Sequence, residues 1–210
     1  MFIEQMSSVK AGLAILGGQP AFNEPRYVGR PNLGSHDRFM DRMNALLERR
    51  WLTNNGPLVQ EFEACIAGLV GTRNCVAVCN ATLGLELLVG ALGLQGSVIV
   101  PSFTFIASAH VLLSHGIEPI FCDVDPQTHL IDPRQVEALI RPDTTGMLGV
   151  HLWGRACDVD ALQEIADRRG LALLFDAAHA FGCSRGDRMV GGFGAGEVFS
   201  FHATKAINSF

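Results

Sequence analysis

The chain has 210 residues, 48% apolar and 18% charged, with 21 acidic and 16 basic side chains and a formal net charge of −5. This composition suits a soluble globular core and excludes disorder, collagen-like repeats and a general affinity for nucleic acid. No stretch approaches the ~20 apolar residues of a membrane helix, and Met1-Phe2-Ile3-Glu4-Gln5 lacks the basic start and long apolar run of a signal peptide, so a cytoplasmic protein with no membrane partner is expected.

Residues 1–57 hold Gly17-Gly18, Pro20, Pro25, Pro31 and Pro57 and one helical stretch over 36–50. They read as an N-terminal arm with a lead-in helix. From about residue 70 a different rhythm sets in. Short apolar runs rich in β-branched residues predict strands at 75–79, 98–101, 119–122, 146–152, 171–175 and 197–201, and the stretches 58–70, 82–92, 105–115 and 133–140 predict helices. The clearest helix opens at Asp158 as its cap, carries Val159, Leu162, Ile165 and Ala166 on one face, and stops at Gly170. The gaps between strands leave room for crossover helices, and Leu171-Ala-Leu-Leu-Phe175 shows no alternation. The prediction is an α/β domain over 58–210 with a mostly parallel central sheet and helices on both faces.

The six cysteines, Cys65, Cys75, Cys79, Cys122, Cys157 and Cys183, form no C-x-x-C and no paired zinc spacing, and most sit in apolar runs where a reduced thiol behaves as a small hydrophobe. The histidines show no ligand spacing either, so no metal is expected. The loop Gly191-Gly-Phe-Gly-Ala-Gly196 matches neither the dinucleotide nor the Walker pattern and reads as a turn. Lysine is scarce. Against 14 arginines there are two lysines, Lys10 in the arm, read as solvated, and Lys205 at the end of an apolar segment.

Ligands of open α/β sheets bind beyond the carboxyl ends of the strands. The polar residues expected there are Asn80 and Thr82, Ser102 and Thr104, His151, Asp176 and His179, and Ser200, His202 and Lys205. Asp176 reads either as a cap of a following helix or as a buried carboxylate that needs a cationic partner. Lys205 reads either as a lysine reaching solvent or as a desolvated amine nucleophile. Thr82 and Ser200 read as simple caps or as two hydroxyls holding one phosphate.

The wording of seven ordered blocks resolves these alternatives by resemblance. They are Trp51-Leu-Thr-Asn-Asn-Gly-Pro57 followed by Phe62-Glu63, Val76-Ala-Val-Cys-Asn-Ala-Thr82, Val98-Ile-Val-Pro-Ser-Phe-Thr-Phe105, Phe121-Cys-Asp-Val-Asp125, Val150-His-Leu-Trp-Gly154, Phe175-Asp-Ala-Ala-His-Ala-Phe-Gly182 and Phe199-Ser-Phe-His-Ala-Thr-Lys205. Together they resemble the sugar-nucleotide aminotransferases of the DegT/DnrJ/StrS family, fold type I enzymes dependent on pyridoxal 5'-phosphate (PLP).

The resemblance implies that Lys205 forms the Schiff base with PLP and that Asp176 partners the pyridinium nitrogen. Phe105 corresponds to the aromatic stacked on the ring, and His179 to the residue beside the ring hydroxyl. Ala81, through its backbone N–H, Thr82 and Ser200 correspond to phosphate contacts. Ala81 stands where the family has Gly, a change that matters if the position requires φ > 0. The implied reaction moves an amino group from an amino acid, usually glutamate, to a keto group of a nucleotide-linked deoxysugar. The blocks around Trp51 and His151 are most similar to enzymes acting at the 4-keto position. A homodimer is implied as well. Lys205 argues against the family's dehydratase branch, which has His there. Because the sequence stops five residues after Lys205, the expectation is an incomplete large PLP domain lacking its C-terminal part. A truncated, non-catalytic remnant or regulatory binding protein of the same fold is the alternative.

Overall fold

The computed structural model describes residues 13–27 and 29–209. The reading of Lys10 as solvated lies outside the described residues. The chain divides into two compact units, Met1–Arg30 and Pro31–Phe210. In the first, among the described residues, a 3₁₀ turn, Ala14–Leu16, is closed by Gly17 at φ 93°. Among the described residues no helix is long and apolar enough to cross a membrane.

The second unit runs α1 (His36–Arg49), α2 (Pro57–Val70), α3 (Ala81–Ala91), β1 (Ser97–Pro101), α4 (Ala107–Ser114), β2 (Glu118–Cys122), α5 (Pro133–Leu139), β3 (Thr144–Val150), α6 (Val159–Arg169), β4 (Ala172–Asp176), β5 (Ser184–Arg185), β6 (Arg188–Met189) and β7 (Gly196–Val198). Helix boundaries follow local chemistry. The Ser35 hydroxyl caps α1 through the Arg38 amide, Asp132 and Asp158 cap α5 and α6, Pro57 opens α2, and Gly71 and Gly170 close α2 and α6 in the left-handed conformation.

Five strands form one sheet in the order β2-β1-β3-β4-β7, every pair parallel, while β5 and β6 make a separate antiparallel hairpin. The path moves one way from β1 to β2 and the other way from β2 through β3 to β4. Right-handed crossovers then put α4 on one face and α5 and α6 on the other. Helices α3 and α4 pack together, as do α5 and α6. β1 is buried along its whole length and β3 nearly so, which explains why these strands show no alternation.

Two strand expectations are corrected. Residues 75–79 belong to no ladder, with Val76 75% exposed and the Ala77 amide donating to Glu63 Oε1 at 2.7 Å. β-branched composition favours an extended backbone, but a strand also needs a neighbour to bond, and the β7 edge pairs only with β4. The last strand covers Gly196–Val198 rather than 197–201, because its partner β4 ends at Asp176, opposite Val198.

Candidate active site

Strand register sets the site. Val150 pairs with Asp176 and Asp176 with Val198, so the carboxyl ends of β3, β4 and β7 stand side by side. Asp176 ends β4 and is 5% exposed. Its Oδ2 accepts a hydrogen bond from Ser108 Oγ on α4 at 2.8 Å, and its Oδ1 accepts the Ala178 amide at 3.0 Å. Residues 177–183 form turns, so Asp176 caps no helix. Among the described residues no cationic side chain lies within ion-pair distance of it. A buried carboxylate in that condition calls for a cationic partner from elsewhere.

Lys205 is half-buried, and among the described residues its ammonium has no hydrogen bond or ion pair, while its amide donates to His202 O at 2.8 Å. His179 senses both neighbours. Desolvation holds its imidazole below the ordinary histidine range, the Lys205 charge lowers it further, and the Asp176 carboxylate opposes both.

At the other side of the edge, Ala81 and Thr82 start α3. The Asn80 side chain takes the Leu83 amide at 2.9 Å, and among the described residues the Ala81 and Thr82 amides have no acceptor. The backbone at Ala81 is helical, so this position does not need glycine. Gly84 lets α3 lie against β7, since a Cβ there would come within 2.9 Å of Val198 Cγ1. That contact places the free amides of α3 near the exit of β7, where Ser200 is half-buried and its Oγ accepts the His202 amide at 3.5 Å. Phe105 is 69% exposed and is tied to the site through its carbonyl, which accepts the Ser108 amide at 3.1 Å.

His151 does not belong to this edge. It is 1% exposed, stacks on Phe175 at 4.5 Å between centroids, and takes the Cys157 amide on Nδ1 at 3.0 Å. Its polar identity at a strand exit suggested a ligand contact, but the ring turns inward to meet Glu197.

Several residues or contacts escaped the sequence reading. Thr104 was expected at the strand exit but Ser108 was not; their hydroxyls lie 2.8 Å apart at the spacing of one helical turn, which was the available signal. Glu197, whose Oε1 accepts the Gly191 and Phe193 amides at 2.9 and 2.6 Å, holds the glycine-rich turn in place. Phe103, His129 and Trp153, from the loops after β1, β2 and β3, form a triangle with every centroid pair at 5.7 Å. Their contact spans loops far apart in sequence, so no local pattern announces it.

A family model for the DegT/DnrJ/EryC1/StrS aminotransferases matches residues 35–210. The dTDP-4-amino-4,6-dideoxy-D-glucose transaminase of Shigella dysenteriae is 38% identical over 187 residues, covering 89% of this chain and 51% of the relative. The transaminase of the same name from Escherichia coli is 37% identical over 155 residues, covering 74% of this chain and 42% of the relative. Among solved structures, DesI in the presence of its TDP-sugar product is 52% identical with a TM-score of 0.87, covering 94% of this chain and 50% of that one. An aminotransferase from Psychrobacter cryohalolentis is 30% identical with a TM-score of 0.80, covering 85% of this chain and 46% of that one. The chain spans about half the length of the relatives it matches.

Proposed function

The chain belongs to the DegT/DnrJ/EryC1/StrS aminotransferase family, and on that premise we propose that the whole protein is a PLP-dependent aminotransferase, transferring an amino group from glutamate to the 4-keto position of a nucleotide-linked deoxysugar. The observation that supports this reading is the buried Asp176 carboxylate, hydrogen-bonded on both oxygens and without a cationic partner among the described residues, with the Lys205 charge acting on the same His179 as Asp176 does. A protonated pyridine nitrogen is the cation that such a carboxylate suits. The names of the relatives, two of them 4-amino-4,6-dideoxyglucose transaminases, support the sugar and the carbon. A homodimeric, cytoplasmic enzyme is part of the same reading and rests on the family resemblance.

Each residue then has a task. Asp176 would hold the proton on the ring nitrogen of PLP. The Ala81 and Thr82 amides, with the Thr82 and Ser200 hydroxyls, receive the phosphate at the positive end of α3. Phe105 would cover a face of the ring, and His179 would stand beside its hydroxyl. When bound, PLP supplies a conjugated cationic ring that takes up the electron pair left at the substrate carbon. Lys205 Nζ would be the amine that holds the cofactor, and its position would let it take and return the proton at the substrate carbon that carries the nitrogen. The donor leaves as its 2-keto acid and the sugar ketone leaves as an amine.

Borohydride reduction of the full-length protein loaded with PLP, followed by peptide mapping, tests the assignment. A pyridoxyl adduct on Lys205 is expected; an adduct on Lys10, or none, overturns it. Release of 2-oxoglutarate from glutamate with a dTDP-linked 4-keto-6-deoxysugar tests the substrates.

A further inference from the structure

We propose that Ser108 and Thr104 are positioning residues that fix the rotation of the Asp176 carboxylate, an inference that rests on the reading of Asp176 as the partner of the cofactor ring nitrogen. Ser108 is fully buried on α4, and Asp176 ends β4, 68 residues later in sequence. A serine hydroxyl has one proton. Ser108 gives it to Asp176 Oδ2 at 2.8 Å, so in the second contact, also 2.8 Å, the donor is Thr104 Oγ1 and the acceptor is Ser108 Oγ. The result is a directed chain, Thr104 to Ser108 to Asp176.

The other oxygen, Oδ1, accepts the Ala178 amide at 3.0 Å. Two donors from different elements, one on each oxygen, determine the plane of the carboxylate. A single bond would leave it free to swing about its Cβ–Cγ axis. Since each carboxylate oxygen offers two lone-pair sites, fixing the plane also fixes where the unused ones point. Thr104 lies in the bend after β1 and is half-buried, and Phe105 is its neighbour, its carbonyl bonded to the Ser108 amide. The segment that aims the carboxylate is therefore the one that carries the proposed ring-stacking residue. A shift of α4 would move both together.

The test uses the full-length protein, with two readouts besides activity: the equilibrium affinity for PLP, and the pH midpoint of the bound cofactor's visible-absorbance transition. Ser108→Ala removes a hydrogen bond to a charged group and is expected to weaken PLP binding about tenfold. It also moves the absorbance midpoint upward, because a ring nitrogen that holds its proton less firmly leaves less positive charge to oppose protonation elsewhere in the conjugated system. Ser108→Thr keeps the hydroxyl and restores both values. Thr104→Val preserves shape, removes the outer donor and shifts both readouts the same way by less, which serves if Ser108→Ala fails to fold. In an Asp176→Asn background Ser108→Ala adds no further loss. Unchanged affinity and midpoint in Ser108→Ala and Thr104→Val, with the adduct still forming on Lys205, overturn the positioning role alone. A wild-type protein that takes no adduct on Lys205 overturns the functional reading and this inference with it.

Discussion

His151 Nε2 and Glu197 Oε2 stand 3.2 Å apart with both side chains shut off from solvent. The contact is close but poorly aligned for a hydrogen bond, and neither atom has another partner. Because His151 Nδ1 accepts the Cys157 amide, the ring proton sits on Nε2 and faces the carboxylate. Glu197 also anchors the Gly191 and Phe193 amides, so this pair ties the exit of β3 to the turn that leads into β7.

Replacing Glu197 removes several supports at once. Glu197→Ala leaves two backbone amides without their acceptor and removes the carboxylate beside the His151 N–H, at an expected cost of about 1–3 kcal/mol per orphaned amide. Glu197→Gln keeps an oxygen for the amides and costs less. Urea denaturation of both variants, read as midpoint shifts, checks the order.

Gly149 lies in β3 opposite Phe175, where an added Cβ would sit 2.6 Å from ring carbons Cδ1 and Cε1. Phe175 is fully buried and stacked by His151, so it has no room to retreat. Gly149→Ala is expected to destabilise the protein by about 1–3 kcal/mol through overpacking. Gly68, in α2 with nothing within reach of a Cβ, gives the opposite sign. Gly68→Ala stabilises by about 0.5–1 kcal/mol through helix propensity. Thermal melts of the two variants should move in opposite directions.

His179 provides a pH test in the protein freed of cofactor. Its folded-state value is depressed, first by desolvation and next by Lys205. The neutral ring is thus favoured in the folded protein. The corresponding stability is present above pH 6.5, the ordinary histidine value, and is lost as pH falls through the folded value. Lys205→Met removes the neighbouring cation and raises the His179 midpoint. Asp176→Asn removes the opposing anion and lowers it. Titration of the ring protons by NMR reads both shifts, and equal midpoints in all three proteins contradict the predicted coupling.

The thiols should sort by environment. Burial pushes Cys157 up to about 12 and Cys122 up to about 11, and both are fully enclosed. Cys65 and Cys79 are exposed. Alkylation of the native protein at pH 8 is expected to label Cys65 and Cys79 and to spare Cys122 and Cys157, since the thiolate is the reactive form. Peptide mass mapping after a short pulse decides it.

Features written in short stretches of chain were legible in the sequence. The Asp158 cap, the stop at Gly170 and the unbroken apolar run before Asp176 are local, and the structure reproduces them. Residues 75–79 looked like a strand because composition reports an extended backbone, whereas pairing depends on what lies alongside. His151 looked like a site residue because it is polar at a strand exit; only the stacking of Phe175 beneath it turns it inward. Ser108 was invisible as a partner of Asp176 because a separation of 68 positions carries no trace of the contact. Chemistry that rests on a residue type at a strand end can be read early, while the residues that aim it are found only once the helices are placed.

Asn32 donates through Nδ2 to the Ala206 carbonyl at 3.2 Å, and Asn208 donates back through Nδ2 to the Asn32 carbonyl at 3.0 Å. These two bonds fasten the segment next to Lys205 to a residue 174 positions earlier. During synthesis at roughly 5–20 residues per second, Asn32 waits on the order of ten to thirty-five seconds for that partner to be made. The Lys205 segment can thus be fastened to Asn32 only after every strand of the sheet, β1 to β4 and β7, has been translated.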